Sequence, residues 1–285
     1  MSQQENSFSI LNSITNLVVS KKPIILSVIT IVLNGESHLE QTIKSIISQK
    51  TSYIEFLIKD GLSTDNTHQI IEQYSQSIDK VIIQKDQGIS QAFNQAIAST
   101  SGEYILFVNA DDWLEDNALE LILSKIKESE GQLAQLLIFG TSFWTNNKIL
   151  NSAFSNPAEI IYGPSIHHSS TVFLKQAFSQ YGLFKEDYKL AMDYELLLRF
   201  NQEGATYKNY KEIIAHRRLG GVSYINNKSA IKETFKARSN YFNGFELYKW
   251  YYYAIVKNNL GRFLRWSHLG FLYQLYWRIN NQKIT

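Results

Sequence analysis

An α/β fold with a largely parallel central sheet is the architecture this sequence predicts, and three observations lead there. From Pro23 to about Glu130, short apolar runs alternate four times with longer amphipathic stretches, the rhythm of βαβ crossovers. The first run is rich in Ile and Val, as strands buried on both faces are. The hydrophobic fraction is 44% over 285 residues, enough for a buried core and against wholesale disorder.

The elements come in order. Residues 24–33 read as a buried strand, and 36–49 as a helix with Leu39, Ile43, Ile46 and Ile47 at helical spacing. Three more strand and helix pairs are expected at 54–59 and 64–77, 80–84 and 90–99, and 103–108 and 116–128. Beyond Gly131 the rhythm loosens, with strands expected at 133–140, 170–174 and 207–217 and a helix at 194–202. From Lys228 onward the chain reads as helical and crowded with Tyr, Trp and Phe. The expected divisions are a leader over 1–22, a catalytic unit over 23–225 (halves 23–113 and 114–225), and a helical extension over 226–285.

Composition excludes several function classes. A net charge of +2 does not describe a polyanion binder, and nucleic acid is not an expected partner. The absence of cysteine removes disulfide frameworks, thiolate metal sites and cysteine nucleophiles together. Met1 to Ser20 carry no basic n-region and no continuous apolar block, so no secretory signal is expected, although Phe8, Leu11, Ile14 and Val18 share helical spacing. The apolar runs fall short of the roughly 20 residues that span a bilayer. A cytoplasmic location, at most at the inner face of the membrane, is the expectation.

An open parallel sheet binds ligands beyond the carboxyl ends of its strands, so the residues just after each strand are informative. After the first come Asn34-Gly35-Glu36, neither a dinucleotide fingerprint nor a P-loop. The second ends at Asp60, the third leads to Asp86 and Gly88, and the fourth runs into Asn109-Ala110-Asp111-Asp112. Clustered like charges are costly unless a cation or hydrogen-bond donors compensate. Such hard oxygen ligands suit Mg²⁺ or Mn²⁺ shared with a diphosphate. Structural alternatives exist: Thr64 or Asp65 as a helix cap, and Asp86 as a turn residue ahead of Gly88. They fit Asp111-Asp112 poorly, since Asp116 is available to cap the next helix.

With these residues placed, SVITIVLNGESHLEQTIKSIISQ, IKDGLSTDNT, DQGISQAFNQAI and GEYILFVNADDW together resemble the nucleotide-binding half of family 2 glycosyltransferases. The resemblance implies a GT-A-type, Rossmann-like fold and an inverting enzyme. Such an enzyme moves a sugar from a nucleotide-diphosphate donor to a hydroxyl of a glycan or lipid-linked acceptor, in polysaccharide biosynthesis. It implies that Asp60 contacts the base, that Asp86 lies in the nucleoside pocket, and that Asn34, Asn94 and Asn109 complete the donor contacts. Asp111, with Asp112 beside it, is the implied ligand of Mn²⁺ or Mg²⁺. Asn109 departs from the family's usual acid; its amide still hydrogen-bonds a ribose hydroxyl but adds no charge.

Transfer to an alcohol needs a base, and in AMDYELLLRF the resemblance assigns that role to Asp193, with Glu195 the runner-up. The alternative for Asp193 is an N-cap. His168, Glu195, His216 and Arg217 are candidate acceptor or diphosphate contacts, and Gly220-Gly221 would let a loop close over the donor. Basic residues among the aromatics from Tyr241 onward suit a membrane interface, and equally suit packing on the catalytic unit or self-association into a homo-oligomer. The rival readings are a non-catalytic sugar-binding protein of the same fold and a sugar nucleotidyltransferase, which would want a glycine-rich basic loop after the first strand.

Overall fold

The computed structural model describes residues 23–129, 134–145, 148–219 and 227–266. The leader, the Gly220-Gly221 loop and the aromatics beyond Trp266 lie outside the described residues, with the expectations placed on them.

The first half is built as the periodicity predicts. Strands β1 (Leu26–Val32), β2 (Ile54–Asp60), β3 (Lys80–Ile83) and β4 (Tyr104–Phe107) lie in the order β3-β2-β1-β4, and every pairing among them is parallel. Helices α1 (Leu39–Ile47), α2 (Thr67–Gln73) and α3 (Ile89–Ser99) make the crossovers. All seven residues of β2 are buried, whereas β3, at the sheet edge, alternates between half-buried and exposed. Side chains of a strand alternate between faces, and two cores result. Val28, Ile58 and Leu106 pack with Leu39 and Ile43 of α1 and with α4 (Ala118–Glu128); their neighbours Ile29, Leu57 and Ile105 pack with Phe93 of α3. Each large apolar side chain so buried contributes about 1.5–3 kcal/mol.

Beyond β4 the sheet becomes mixed, so the largely parallel sheet expected from sequence is continuous only over β1 to β4. The order continues β4-β8-β6-β9-β5, with β7 on β6. Here β5 is Trp113–Leu114, β6 Leu136–Thr145, β7 Lys148–Phe154, β8 Thr171–Leu174 and β9 Tyr207–Arg218. β4 pairs antiparallel with β8, β8 with β6, β7 with β6 and β5 with β9; β6 and β9 run parallel. Helices α5 (Lys175–Tyr181) and α6 (Met192–Gln202) cover the Phe93 face. Strands β5 and β7 and helix α5 were not foreseen; β5 is two residues long and β7 largely exposed, so neither carries a strong apolar pattern. Asp116 does not cap α4, whose N-cap is Asn117 at φ 61° with no side-chain bond.

Two further helices complete the described chain, α7 (Asn227–Ser239) and α8 (Gly244–Trp266), packed through Phe235 against Tyr248 and Tyr251. Arg238 of α7 stands over the Trp250 ring at 4.9 Å. Some of the aromatics therefore pack inward, while Phe245, Tyr248, Tyr252 and Val256 are exposed. Among the described residues no helix is long and apolar enough to cross a membrane.

Candidate active site

The chain leaves β3 through α3 and re-enters the sheet on the far side of β1, as β4. A crevice opens beyond the strand ends where the order reverses in this way. A cavity of about 930 Å³ lies here, near the upper end of the roughly 300–1,000 Å³ usual for small-molecule sites. Asn34, Asp86, Asn109, Asp111, Asp112, His168, Asp193 and Arg217 all line it.

At the ends of β2 and β3 the acids are held by dedicated partners. Asp86 Oδ2 takes the Lys59 ammonium at 2.8 Å, and Oδ1 accepts from the Gly88 N–H at 3.1 Å. Lys59 is fully buried and also donates to the carbonyls of Asp60 and Gln84, so its charge is met by three acceptors. Gly88 sits at φ 139°, a conformation that favours glycine. At Gly61 a Cβ would come within 2.9 Å of Asp86 Oδ2, so a side chain there would push the carboxylate off its place beside Lys59. Asn34, itself at φ 55°, accepts from Thr64 N at 2.8 Å and donates its own N–H to Ser63 Oγ. Asp65 Oδ1 accepts from Thr67 N and Oδ2 from Glu36 N, tying the same loop to the start of α1.

Asp111 and Asp112 are adjacent but placed differently. Asp112 is 1% exposed; Oδ1 accepts from Arg218 N and Oδ2 from Asn109 Nδ2. Burial first, then the Asp111 charge, pushes its carboxyl up to about 6 against the pull of Arg217. The Asp111 carboxylate lines the cavity and accepts no hydrogen bond from the described residues, while its carbonyl takes Arg218 Nε at 3.3 Å. Arg218 is steadied over the Trp113 ring and by Gln41. No group of three or more His, Asp or Glu among the described residues could hold an ion alone. One open carboxylate with an acid beside it fits a divalent ion that completes its shell with phosphate oxygens and water, not an all-protein cage.

Across the cavity, the antiparallel pairing of β4 with β8 brings the segment before β8 beside the segment after β4. His168 is thereby set between Asp193 and Asn109, with Nδ1 3.0 Å from Asp193 Oδ2 and Nε2 3.3 Å from Asn109 Oδ1. Asn109 gives its NH₂ to Asp112, so its oxygen faces His168, and both contacts are satisfied when both ring nitrogens donate. Burial alone would raise the Asp193 carboxyl. The hydrogen bond and charge of His168, with Arg217, outweigh it and hold the group at about 2. Asp193 is not an N-cap: Ala191 is, and Asp193 lies in the first turn of α6 with Oδ1 on the Tyr194 N–H. His167 faces the Phe143 ring instead, and burial followed by the Arg217 charge lowers it to about 3.

Four candidates from the sequence are not on the cavity wall. Asp60 is 0% exposed, and its carboxylate accepts from the Ser63 N–H and hydroxyl and meets His68. Asn94 spends both amide atoms on the backbone of Phe184. Glu195 is buried between Arg199, which it meets with both oxygens, and Lys185. His216 is held by Ser142, Trp144 and Glu115, and burial lowers its pKa. Conversely, Lys59 and Phe143 were not singled out from sequence. A lone lysine inside the apolar run IEFLIKD was the available signal for the first; the second had none.

Known proteins share this arrangement of elements. The family model described as glycosyl transferase family 2 matches residues 27–178. The chain is 26% identical over 214 residues to chondroitin synthase of Escherichia coli, an alignment covering 73% of this chain and 30% of that protein. It spans well under half the length of most curated relatives it matches. Among solved structures, S. aureus TarS 1-349 in complex with UDP-GlcNAc superposes with a TM-score of 0.61 at 18% identity, covering 79% of this chain and 69% of that one. The mannosyltransferase PcManGT of Pyrobaculum calidifontis, in complex with GDP-Man and Mn2+, gives 0.58 at 15% identity over 80% and 68%. At these identities the superpositions speak for the α/β GT-A-like fold.

Proposed function

The chain belongs to glycosyltransferase family 2, and from that premise we propose that it transfers a sugar, with inversion, from a nucleoside-diphosphate donor to a hydroxyl of a glycan or lipid-linked acceptor. The observation that carries this reading is the placement of Asp86, Asn109, Asp111 and Asp193 around one cavity at the carboxyl rim of the sheet. The nucleoside enters beside Asn34 and Asp86, with Asp60 acting from beneath as the acid that shapes the loop rather than as a direct contact. The diphosphate lies toward Asp111 and Arg217.

Asp111, supported by Asp112, would hold Mn²⁺ or Mg²⁺, which when bound would supply Lewis-acid neutralisation of the diphosphate charge. The acceptor oxygen attacks the anomeric carbon as the bond from that carbon to the phosphate oxygen breaks. The electron pair leaves with the nucleoside diphosphate, and the acceptor proton passes to Asp193. A carboxylate held at about 2 is a weak base toward a free alcohol. It takes the proton as the new carbon–oxygen bond makes that oxygen acidic. His168 and Arg217 keep Asp193 ionised until then and fix which oxygen faces the acceptor.

Thermal stabilisation by a panel of nucleoside diphosphates, with and without Mn²⁺, tests the reading. A ligand at about one hundred times its Kd adds roughly 2.7 kcal/mol. Asp111→Asn is expected to remove the Mn²⁺-dependent part and the transfer activity; unchanged activity would take Asp111 out of the mechanism. For a lipid-linked acceptor, the exposed stripe of Phe245, Tyr248, Tyr252 and Val256 on α8 suits a lipid interface. The full chain is expected to float with anionic vesicles and the Phe245→Ser, Tyr252→Ser double variant to float less. Equal flotation removes the membrane from the account.

A further inference from the structure

Helix α7 reaches the loop that carries the proposed base. One oxygen of Glu233, Oε2, accepts the backbone N–H groups of Lys189 at 3.0 Å, Leu190 at 2.8 Å and Ala191 at 2.9 Å. Successive amides converge on a single oxygen only when the backbone is curled into a concave nest. A charged acceptor makes each of those bonds stronger than a neutral one would. The nest sits immediately before α6, where the helix dipole also favours a negative charge. Lys189, Leu190, Met192 and Asp193 all line the cavity, so the curl that Glu233 holds is part of the cavity wall.

The hold has support on both sides. At the exposed rim Lys236 of α7 pairs with Asp187 and stands 4.5 Å from the Tyr188 ring. Ala237 is 0% exposed and Arg238 is 3% exposed, donating to the Ile161 carbonyl. From the opposite side Ser90 Oγ of α3 donates to the Tyr188 carbonyl at 2.6 Å. The segment from Asp187 to Ala191 is therefore gripped between a helix of the nucleotide half and a helix of the carboxyl-terminal extension.

We propose that Glu233 is a positioning residue for Asp193, which makes the carboxyl-terminal helices a working part of the active site and not an appendage to it. The inference rests on the proposed function, because it takes Asp193 as the base. A misplacement of about 1 Å at a reacting group costs on the order of 10²-fold in rate, and loss of the nest anion frees the backbone two residues before that group.

The full-length chain carrying Glu233→Gln or Glu233→Ala tests this, with two readouts. The first is hydrolysis of a panel of UDP- and GDP-sugars with Mn²⁺, resolved into kcat and donor KM. The second is amide exchange over residues 187–193. In Glu233→Ala, kcat is expected to fall about 10²-fold with donor KM near the wild-type value, the pattern of an interaction that matters at the reacting centre. Exchange should quicken in that segment alone, and Glu233→Gln, whose amide oxygen still accepts, should recover part of both. Unchanged kcat in both variants, or exchange that rises across the whole sheet, overturns the proposal, as does a segment whose exchange neither variant moves. A wild-type chain that neither hydrolyses any nucleotide-sugar nor is stabilised by any nucleoside diphosphate with Mn²⁺ overturns the proposed function instead, a result the exchange measurement does not depend on.

Discussion

Acids on the two sides of the cavity are managed differently. On the side proposed for the nucleotide, Asp86 at the wall and Asp60 behind it draw their partners from β2, the loops beyond β2 and β3 and the start of α2: Ser63 and His68 for Asp60, Lys59 and Gly88 for Asp86. On the acceptor side, Asp193 is tuned by residues from distant segments, His168 ahead of β8 and Arg217 near the end of β9. The first arrangement makes a rigid receptor whose charges are already compensated. The second leaves a carboxylate about a quarter exposed, ionised and open to substrate. Under the proposed function, binding and proton transfer ask for those two states respectively.

The contrast can be broken experimentally, beginning with the largest expected effect. Asp193→Asn should lower transfer by about 10²–10⁴-fold, the range for a general base, while nucleoside-diphosphate binding by thermal shift stays at wild type. Loss of both together would erase the distinction between the two sides. Next, Lys59→Met strands Asp86 beside an apolar side chain. Removing one partner of a buried pair costs about 3–5 kcal/mol, and because Asp86 keeps 14% of its side-chain surface the low end is expected in urea denaturation. A loss below about 1 kcal/mol, the range of an exposed pair, would mean the pair is not structural.

The smallest expected effect is that of His168→Gln, which sharpens the comparison through pH. The folded Asp193 carboxyl, at about 2, lies below its unfolded value of about 3.9. Its contribution is thus present above about pH 4 and is lost as pH falls through about 2, worth roughly 2–3 kcal/mol at neutral pH. Removing the imidazole should shrink that contribution and move the acid limb of kcat/KM upward, with about a tenfold loss of kcat from the same electrostatic change. An acid limb that stays in place would show that Arg217 and the Tyr194 N–H set the carboxylate without His168.

Much of the nucleotide side was legible in the sequence because it is local. Each strand from Leu26 to Phe107 is an apolar run succeeded within a few residues by the side chains it delivers, so Asn34, Asp86, Asn109 and Asp111 could be read as strand-end residues. What the chain does not display is which of them faces inward. Asp60 was expected at the cavity, yet Ser63 and His68 occupy its carboxylate, a consequence of the tight turn at Gly61 and Leu62 that no periodicity reveals. On the acceptor side His168 was singled out without its partners, because its contact with Asn109 depends on β8 running antiparallel to β4. Glu195, only the runner-up because helix geometry points it away from Asp193, is indeed turned aside. It sits in the first turn of α6 beside Asp193 but is rotated toward Arg199, one turn further along.

The order of the strands has a bearing on how the molecule comes to exist. β6 cannot complete its parallel partnership until β9 is available, and their contacts link residues near 140 to residues near 213. Pairings so far apart along the chain form slowly, since the intervening loop must close before any contact repays it. On the ribosome the four parallel strands emerge and find each other first. A nascent chain short of Arg218 has its parallel strands but not the arginine that holds the Asp111 carbonyl, and one short of α7 lacks Glu233, so under the proposed function competence arrives only after the last strand.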